Sequence, residues 1–361
     1  MSLLISVIAL GFIIFFHELG HFLLAKRMGV GVIEFSLGMG PRLVSFVHGQ
    51  TRYSLRVLPF GGSCMMLGED NAEEGGLIDG RQYSKDEAFH TKAPWKRFLI
   101  IAAGPLFNFI LALVLSFVIT QQVGYDKPVV RSVEAGMPAA QSGISAGDTI
   151  LELNGEKITV YRDIQLFLLS SQKAMQAGLP VTVRYQTEAG EIRTTELTPA
   201  FAEDTQSYRM GLAFNAAYTP AESPGEVLKY GAYNVEFCIK STVKSLQMLI
   251  SGQVQRGDVM GPVRMVAVMD DTVETAAQYG LWTMLMSLFD LTILISASLG
   301  AMNLLPFPAL DGGQLVFILF EMLVRKPVPA GFAARVNFAG MMILLGLMFF
   351  VLFNDLSFIL G

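Results

Sequence analysis

Two histidines and one glutamate lie close together in an apolar segment near the start of the chain, in the stretch FIIFFHELGHFLLAKR. His17, Glu18 and His21 form the pattern H-E-x-x-H. On a helix, residues i and i+4 lie on one face, so both imidazoles can reach the same metal ion. Glu18 stands beside them as a general base toward water, and this ligand chemistry favours Zn²⁺. The pattern therefore predicts a hydrolytic site with one Zn²⁺ per chain. The alternative, a polar cluster that only packs helices, leaves the metal-ligand spacing unexplained.

The predicted zinc ion needs a third protein ligand and an open position for water. The candidate carboxylates in apolar surroundings are Asp290, Asp311 and Asp355. Asp311 lies in NLLPFPALDGGQLVF, where Pro306 and Pro308 interrupt the helix and two glycines allow close backbone approach. Irregular backbone at membrane depth is typical of a segment that lines a site. We therefore expect Asp311 to be the third ligand.

The composition is that of an integral membrane protein. Of the 361 residues, 52% are hydrophobic and only 16% are charged, whereas soluble domains average about 25% charged residues. Four runs approach the roughly 20 apolar residues that a transmembrane helix needs. They cover residues 3–24, 98–120, 281–304 and 332–360. A shorter run at 315–324 either continues the third span or forms a buried half-helix.

The distribution of lysine and arginine predicts the orientation of these spans. Basic residues concentrate in the loop between the first and second spans and recur between the third and fourth. The positive-inside rule places both loops in the cytoplasm, both termini outside, and the zinc site near the cytoplasmic side. The net charge of −5 provides no basic surface for nucleic acid. Cys64 and Cys238 lie far apart, which predicts free thiols.

The first cytoplasmic loop contains two segments with the residues of β-strands, FSLGMGPRLVSF and TRYSLRVLPFGG, joined by the turn HGQT. We predict a β-hairpin over residues 35–67. Its apolar residues allow it to enter the membrane against protein or a water-filled cavity. The acidic, glycine-rich segment 68–80 is predicted to be a loop.

Residues 123–217 have the composition of a small soluble domain inserted between the second and third spans. The stretch PAAQSGISAGDTILELNG predicts a short helix, a glycine turn and a strand, and a helix and two more strands follow. This order resembles a bacterial PDZ domain, with a peptide groove at Gly143 and Ile144. PDZ domains bind extended peptides by adding a strand to a sheet edge. The alternative is a generic small β-rich domain.

Residues 218–280 are predicted to be helical and contain the sequence GPV. The first part is apolar but carries Glu226, Lys229, Glu236, Lys240 and Lys244. A charged residue at the bilayer centre costs about 2.5–3.5 kcal/mol. We therefore predict an extracytoplasmic amphipathic helix at the membrane surface, not a fifth span. The membrane core then consists of residues 1–122 and 281–361.

Several of these features together resemble the bacterial site-2 proteases, which are intramembrane zinc metalloproteases. They are HELGH in the first span, MGPV before the third span, NLLPFPALDGG after it, and the single PDZ-like insert. The resemblance covers nearly the whole chain. It implies a polytopic α-helical protein of the bacterial inner membrane with about four transmembrane helices. A membrane-associated β-hairpin and an extracytoplasmic PDZ-like α+β domain complete that fold.

The resemblance also implies roles for individual residues. The residues assigned to zinc and to catalysis are the ligands His17, His21 and Asp311 and the base Glu18. Asn303 would help to hold the substrate backbone. The hairpin, with Gly61 and Gly62 in LPFGG, would pair with an unwound strand of substrate. AAGPLFN resembles a glycine-rich packing motif, in which Asn108 either contacts substrate or forms a hydrogen bond between helices.

The reaction implied by the resemblance is regulated intramembrane proteolysis. The substrate would be a single-pass membrane protein within the lipid, either an anti-sigma factor or a remnant signal peptide, already trimmed outside by a site-1-type protease. The sequence SCMML departs from the family after the hairpin and leaves the side-chain preference open. A metal transporter or sensor is a second hypothesis, which would keep metal flux without Glu18. A peptide-binding scaffold with structural zinc is a third, although such sites normally have four protein ligands.

Overall fold

The computed structural model describes residues 2–69, 76–203, 207–215, 217–253 and 261–360. Contacts divide the chain into two compact units, Met1–Ser116 with Val254–Gly361, and Phe117–Gln253. The helices are α1 (Ser2–Arg27), α2 (Pro94–Gln122), α3 (Tyr161–Ser170), α4 (Gln172–Gln176), α5 (Pro224–Ile250), α6 (Pro262–Gln278), α7 (Leu281–Asn303), α8 (Asp311–Val324) and α9 (Ala330–Leu360). The strands are β1 (Val32–His48), β2 (Thr51–Met66), β3 (Gly76–Ile78), β4 (Arg81–Tyr83), β5 (Tyr125–Asp126), β6 (Val130–Val133), β7 (Thr149–Leu153), β8 (Glu156–Lys157), β9 (Val181–Gln186), β10 (Ile192–Leu197), β11 (Ala200–Ala202), β12 (Ser207–Arg209), β13 (Leu212–Phe214) and β14 (Tyr218–Thr219).

Within the part of the chain that the structure describes, four helices are long and apolar enough to cross a membrane. The qualifying segments are Leu4–Arg27, Pro94–Gln122, Leu281–Asn303 and Gly331–Asp355. They coincide with the four predicted spans to within a few residues. The short run at 315–324 lies in α8, a separate helix of 14 residues. At about 1.5 Å per residue α8 is too short to cross a hydrocarbon core about 30 Å thick.

The connection between α7 and α8 is tightly packed irregular backbone. A Cβ atom added to Gly312 would lie 2.1 Å from the carbonyl oxygen of Leu305, and one added to Gly313 would lie 2.4 Å from that of Phe307. Both glycines are therefore required for the chain to fold back at the start of α8. This turn places Asp311 in the first turn of α8.

Strands β1 and β2 occupy the predicted hairpin but fold into a more compact sheet than a simple ribbon. Phe35 pairs with Cys64 and also with Tyr53, so this part of β1 lies between two segments of β2. β2 also packs against α1. The following segment, predicted as a loop, contains the small antiparallel pair β3 and β4, while residues 70–75 lie outside the described residues.

A buried ion-pair cluster holds this sheet together. Glu34 is 2% exposed and accepts hydrogen bonds from Arg42 at 2.5 Å and from Arg56 at 3.0 Å. The hydrogen bond from Arg42 is the main reason why the pKa of Glu34 is lowered to about 2. The carboxylate therefore stays ionised and keeps both arginines fixed on the sheet.

Helix α6 begins against the end of α9. The carboxylate of Asp355 is fully buried and accepts hydrogen bonds from the backbone N–H groups of Gly261 and Arg264, at 2.9 and 3.2 Å. It therefore caps the N-terminus of α6 from another helix. A Cβ atom on Gly261 would lie 2.4 Å from this carboxylate, which explains the glycine of the GPV sequence. Met260, which completes the MGPV motif, lies outside the described residues.

The structure divides the predicted segment 218–280 into two parts. α5 belongs to the unit Phe117–Gln253, whereas α6 belongs to the other unit and packs against α1 and α7. Met269 and Val273 of α6 are each only 1% exposed. Burial of these side chains makes α6 a part of the helical core.

The unit Phe117–Gln253 is built around a four-stranded sheet in the order β10–β9–β7–β8. Three two-stranded pairs accompany it, β13 with β6, β14 with β5, and β11 with β12. Ile150 and Val183 from the sheet pack with Ile164 and Phe167 of α3, and each of the four is at most 2% exposed. This unit therefore has a hydrophobic core of its own.

Charged residues of α5 make contacts within this unit. Lys240 donates to Asp163 at 3.1 Å, and Lys244 donates to Glu156 at 2.6 Å. Asp163 is 1% exposed and also accepts from Tyr233 Oη at 2.9 Å. The lysines that argue against a membrane span are thus used to attach α5 to α3 and β8.

Substitution of Asp163 by alanine is expected to destabilise this unit by about 3–5 kcal/mol, because the partly buried Lys240 ammonium and several buried donors lose their acceptor. Backbone N–H groups of Thr159 and Val160 also donate to this carboxylate. The measurement is thermal and denaturant unfolding of the full chain in detergent. Glu191→Ala is the control, since Glu191 forms only a highly exposed pair with Arg193. Equal stability of the two variants would contradict the expectation.

Candidate active site

The side chains of His17 and His21 from α1 and of Asp311 from α8 converge on one point, and the two imidazoles contact α2. His17 Nε2 lies 3.1 Å from Asp311 Oδ2, His21 Nε2 lies 3.5 Å from the same oxygen, and the two Nε2 atoms are 3.2 Å apart. Both histidines are buried and Asp311 is half-buried. Among the described residues, this is the one set of three histidine, cysteine or carboxylate side chains with ligand atoms close enough to hold a metal ion.

The spacing of these atoms fits a tetrahedral zinc ion. Bond lengths of about 2.0–2.1 Å place tetrahedral ligand atoms roughly 3.3 Å apart. The three observed separations, 3.1, 3.2 and 3.5 Å, lie on either side of this value. Asp311 Oδ2 is also buried without a hydrogen-bond donor. Two imidazoles and one carboxylate form a donor set that Zn²⁺ favours, and three protein ligands leave a fourth position open.

Close contact between α1 and α2 fixes the two imidazoles. His21 Nδ1 donates to the backbone oxygen of Ile100 at 2.9 Å, which leaves Nε2 directed toward the cluster. A Cβ atom on Gly20 would lie 2.3 Å from the oxygen of Ala103, and one on Gly104 would lie 2.3 Å from His21 Nε2. Only glycine at these positions allows the helices to approach so closely.

Glu18, which follows His17 on α1, lies against β2. Its side chain is half-buried, and a Cβ atom added to Gly62 would lie 3.2 Å from Glu18 Cγ. The neighbouring Gly61 has a φ of +88°, a conformation that favours glycine. The predicted base and the predicted substrate-binding glycines are therefore brought together.

Substitution of Gly62 by alanine is expected to lower kcat by about tenfold without loss of zinc. The backbone of Gly62 is not in the left-handed region, and an added methyl group would lie 3.2 Å from both Glu18 Cγ and the backbone oxygen of Ser36. The Glu18 side chain is the more flexible of these two neighbours, so it would be displaced by a few tenths of an ångström. A misplacement of about 1 Å can cost 10²-fold in rate. The measurement is kcat together with zinc content. Gly331→Ala is the control, because nothing lies within 4 Å of its added Cβ. An unchanged kcat would show that Gly62 does not position Glu18.

The other predicted residues of the membrane core differ in their placement. Asn108 is fully buried, with Nδ2 lying 3.2 Å from His17 Nδ1, so it has no surface to offer a substrate. Asn303 is half-buried and is the last residue of α7. Of the competing carboxylates, Asp290 is exposed on α7 outside the cluster, and Asp355 caps α6.

Gly143 and Ile144, the residues of the predicted peptide groove, do not line the large cavity of the unit Phe117–Gln253. Ile144 is 5% exposed within the hydrophobic core, and Gly143 lies in a turn with a φ of +81°. A cavity of about 680 Å³ lies instead between α3 and α4 on one side and β12 and β13 on the other. Leu168, Met175 and Tyr208 are among the residues that line it. Peptide binding at Gly143 and Ile144 therefore stays a prediction.

Two histidines of an apolar helix that converge with a carboxylate from a second helix, next to a glutamate, are typical of membrane metalloproteases. Residues 5–347 match the sequence model of peptidase family M50. The chain therefore belongs to peptidase family M50, the site-2 protease family, and is a metalloprotease. The predicted family is thus confirmed, and the transporter and scaffold hypotheses are set aside.

Curated relatives cover nearly the whole chain. A Clostridium acetobutylicum protein, named a candidate zinc metalloprotease, is 35% identical over 95% of both chains. The zinc metalloprotease RasP of Geobacillus kaustophilus is 30% identical over 99% of this chain and 98% of its own. The regulator of sigma-W protease RasP of Bacillus subtilis is 28% identical over 97% of both. Among solved structures, a PDZ domain of an SdrC-like protein from Listeria monocytogenes is 22% identical, with a TM-score of 0.22, over 26% of this chain and 92% of that domain.

Sequence reasoning missed the residues that support the histidines. The oxygen of Ile100 and the contact of Gly104 with the imidazoles carry no chemical signature of their own. Ser296 donates to the backbone oxygen of Asn108 at 2.9 Å, and a single serine in an apolar span gives no signal either. The motif AAGPLFN indicated close helix packing, but not which surface it would contact.

Proposed function

We propose that the chain is an intramembrane zinc endopeptidase in which His17, His21 and Asp311 hold one Zn²⁺ and Glu18 is the general base. The observation that carries the proposal is the convergence of the three ligand atoms within 3.1–3.5 Å of one another beside Glu18. Zinc, when bound, polarises the scissile carbonyl and acidifies water. Glu18 accepts a proton from the attacking water and returns it to the leaving amine.

An unwound substrate would pair alongside residues 61–66 of β2. Gly62 of this segment lies against Glu18, so a strand added here would bring its peptide bonds to the base. Asn303, at the end of α7, would hydrogen-bond the substrate backbone. An extended substrate also exposes the peptide bond that a helix conceals.

The distribution of basic residues supports a multi-pass topology in a bacterial inner membrane. Lys26 and Arg27 follow the first span directly, and Arg325 and Lys326 follow α8. The positive-inside rule then places the C-terminal ends of the first span and of α8 in the cytoplasm, and both chain termini outside it. The zinc site then lies toward the cytoplasmic side, where water can reach it.

The substrates that we propose are single-pass membrane proteins already shortened by a site-1-type protease. A curated relative is named regulator of sigma-W protease, which favours an anti-sigma factor, and a remnant signal peptide has the same trimmed form. The unit Phe117–Gln253, as a PDZ-like domain, would bind an extended peptide in its cavity of about 680 Å³ or exclude bulky ectodomains.

Co-expression with a tagged single-pass reporter tests this function. The reporter is made in two forms, with its ectodomain and without it, and the products are mapped by mass spectrometry. We expect cleavage within the span of the trimmed form only. A zinc chelator applied to the purified chain should stop cleavage, and added Zn²⁺ should restore it. Cleavage outside the span, or cleavage that a chelator does not affect, would contradict the proposal.

A further inference from the structure

Asn108 is a buried polar side chain beside the cluster that the proposed reaction does not use. It is fully buried on α2 and Oδ1 has no hydrogen-bond partner, while Nδ2 lies 3.2 Å from His17 Nδ1. An unpaired buried acceptor costs free energy. Full burial also leaves Asn108 no surface for substrate.

Whether His17 Nδ1 needs a hydrogen-bond donor or an acceptor from the Asn108 side-chain amide depends on which ring nitrogen carries the hydrogen. His17 Nε2 points at Asp311 Oδ2, 3.1 Å away, and at His21 Nε2, so it is the nitrogen that would bind zinc. A neutral imidazole that offers Nε2 to a metal carries its proton on Nδ1. Nδ1–H then requires an acceptor, and Asn108 Nδ2 is a donor. A half-turn about the Asn108 Cβ–Cγ bond brings the unpartnered Oδ1 to this position.

We propose that Asn108 is a positioning residue whose Oδ1 accepts the Nδ1–H of His17 and so fixes the tautomer and ring orientation that zinc binding requires. His21 has the equivalent arrangement through its backbone partner, because Nδ1–H donates to the oxygen of Ile100. Metal-binding histidines almost always have such a partner on the second nitrogen. Helix α2 therefore supplies the hydrogen-bond partner of Nδ1, the ring nitrogen turned away from the metal position, in both imidazoles.

The structure holds Asn108 in place from a third helix. Ser296 of α7, which is also fully buried, donates to the Asn108 backbone oxygen at 2.9 Å. The backbone of residue 108 is thereby fixed relative to α7, and the side chain needs only its amide rotation to serve His17. The inference rests on the proposed zinc site, and it adds the residue that orients one of its ligands.

The test is zinc affinity, measured on the purified full chain in detergent by competition with a chromogenic chelator. Asn108→Leu removes the acceptor at similar volume and is expected to weaken zinc binding about 10–100-fold. Asn108→Asp restores an acceptor for Nδ1–H and is expected to bind within a few-fold of the wild type. Ser116→Ala is the matched control, because Ser116 is equally buried on α2 but lies two turns beyond the site. Its affinity should not change.

The outcomes separate this inference from the function on which it rests. If wild-type chain bound no zinc, the proposed function itself would fail. If wild type bound zinc and Asn108→Leu bound it equally well, or Asn108→Asp were as weak as Asn108→Leu, only the positioning role would fail. Should Asn108→Leu not accumulate, Asn108→Ala gives the same comparison. The visible spectrum of the Co²⁺-substituted chain provides a second readout, expected to change in Asn108→Leu and to be retained in Asn108→Asp.

Discussion

Replacement of Glu18 by glutamine is expected to lower kcat by about two to four orders of magnitude, the usual contribution of a general base. The amide keeps the size of the side chain but cannot accept the proton of the attacking water. Zinc content should remain that of the wild type, because Glu18 is outside the set of convergent atoms formed by His17, His21 and Asp311. The measurement is cleavage of the trimmed reporter together with zinc analysis of the same preparation.

A carboxylate elsewhere in the spans provides the control for this experiment. Asp290 lies on α7, is exposed and is outside the cluster. Asp290→Asn should therefore keep both zinc and activity. If the Glu18→Gln variant cleaved the reporter as fast as the wild type, Glu18 would not be the base. Glu18→Gln that lost zinc would instead make this residue part of the metal site.

The chemistry of the first span could be predicted from sequence because it is local. The spacing of His17 and His21 fixes their shared helix face whatever the rest of the fold does. The four apolar helices were predictable for the same reason, since length and apolarity are properties of a single segment. Asp311 needed a further argument, from the prolines and glycines that surround it, and the structure places it at the cluster.

The parts that could not be predicted depend on contacts between distant segments. The acceptor for His21 is a backbone oxygen, which any residue at position 100 would provide. The burial of Ile144 depends on how the strands of the unit Phe117–Gln253 pair, which the motif around Gly143 does not specify. The charges of α5 indicated correctly that it is not apolar throughout, but they did not reveal that Asp163 and Glu156 are their partners. In each case the missing information was the identity of the neighbour.

Gly104 shows how a residue with no side chain can control the site. Gly104→Ala is expected to abolish stoichiometric zinc binding and, with it, activity. The added Cβ would lie 2.3 Å from His21 Nε2, 2.6 Å from His21 Cε1 and 2.8 Å from His17 Cε1. Neither imidazole can move aside without losing its direction, because His21 is fixed by its hydrogen bond to Ile100. Either α2 shifts away from α1 or a histidine rotates out of the cluster.

The loss of zinc affinity in Gly104→Ala should exceed the roughly 10–100-fold weakening that is typical when only a hydrogen-bond partner of a metal ligand is changed. The reason is that the ligand nitrogens themselves are displaced here. Zinc content after dialysis and a chelator competition titration measure it. Gly346→Ala is the control, since Gly346 lies in an apolar helix with nothing within 4 Å of an added Cβ. There the methyl group should only favour the helix, by about 1 kcal/mol. Full zinc occupancy in Gly104→Ala would mean that His17 and His21 do not bind the metal from the positions that they occupy against α2.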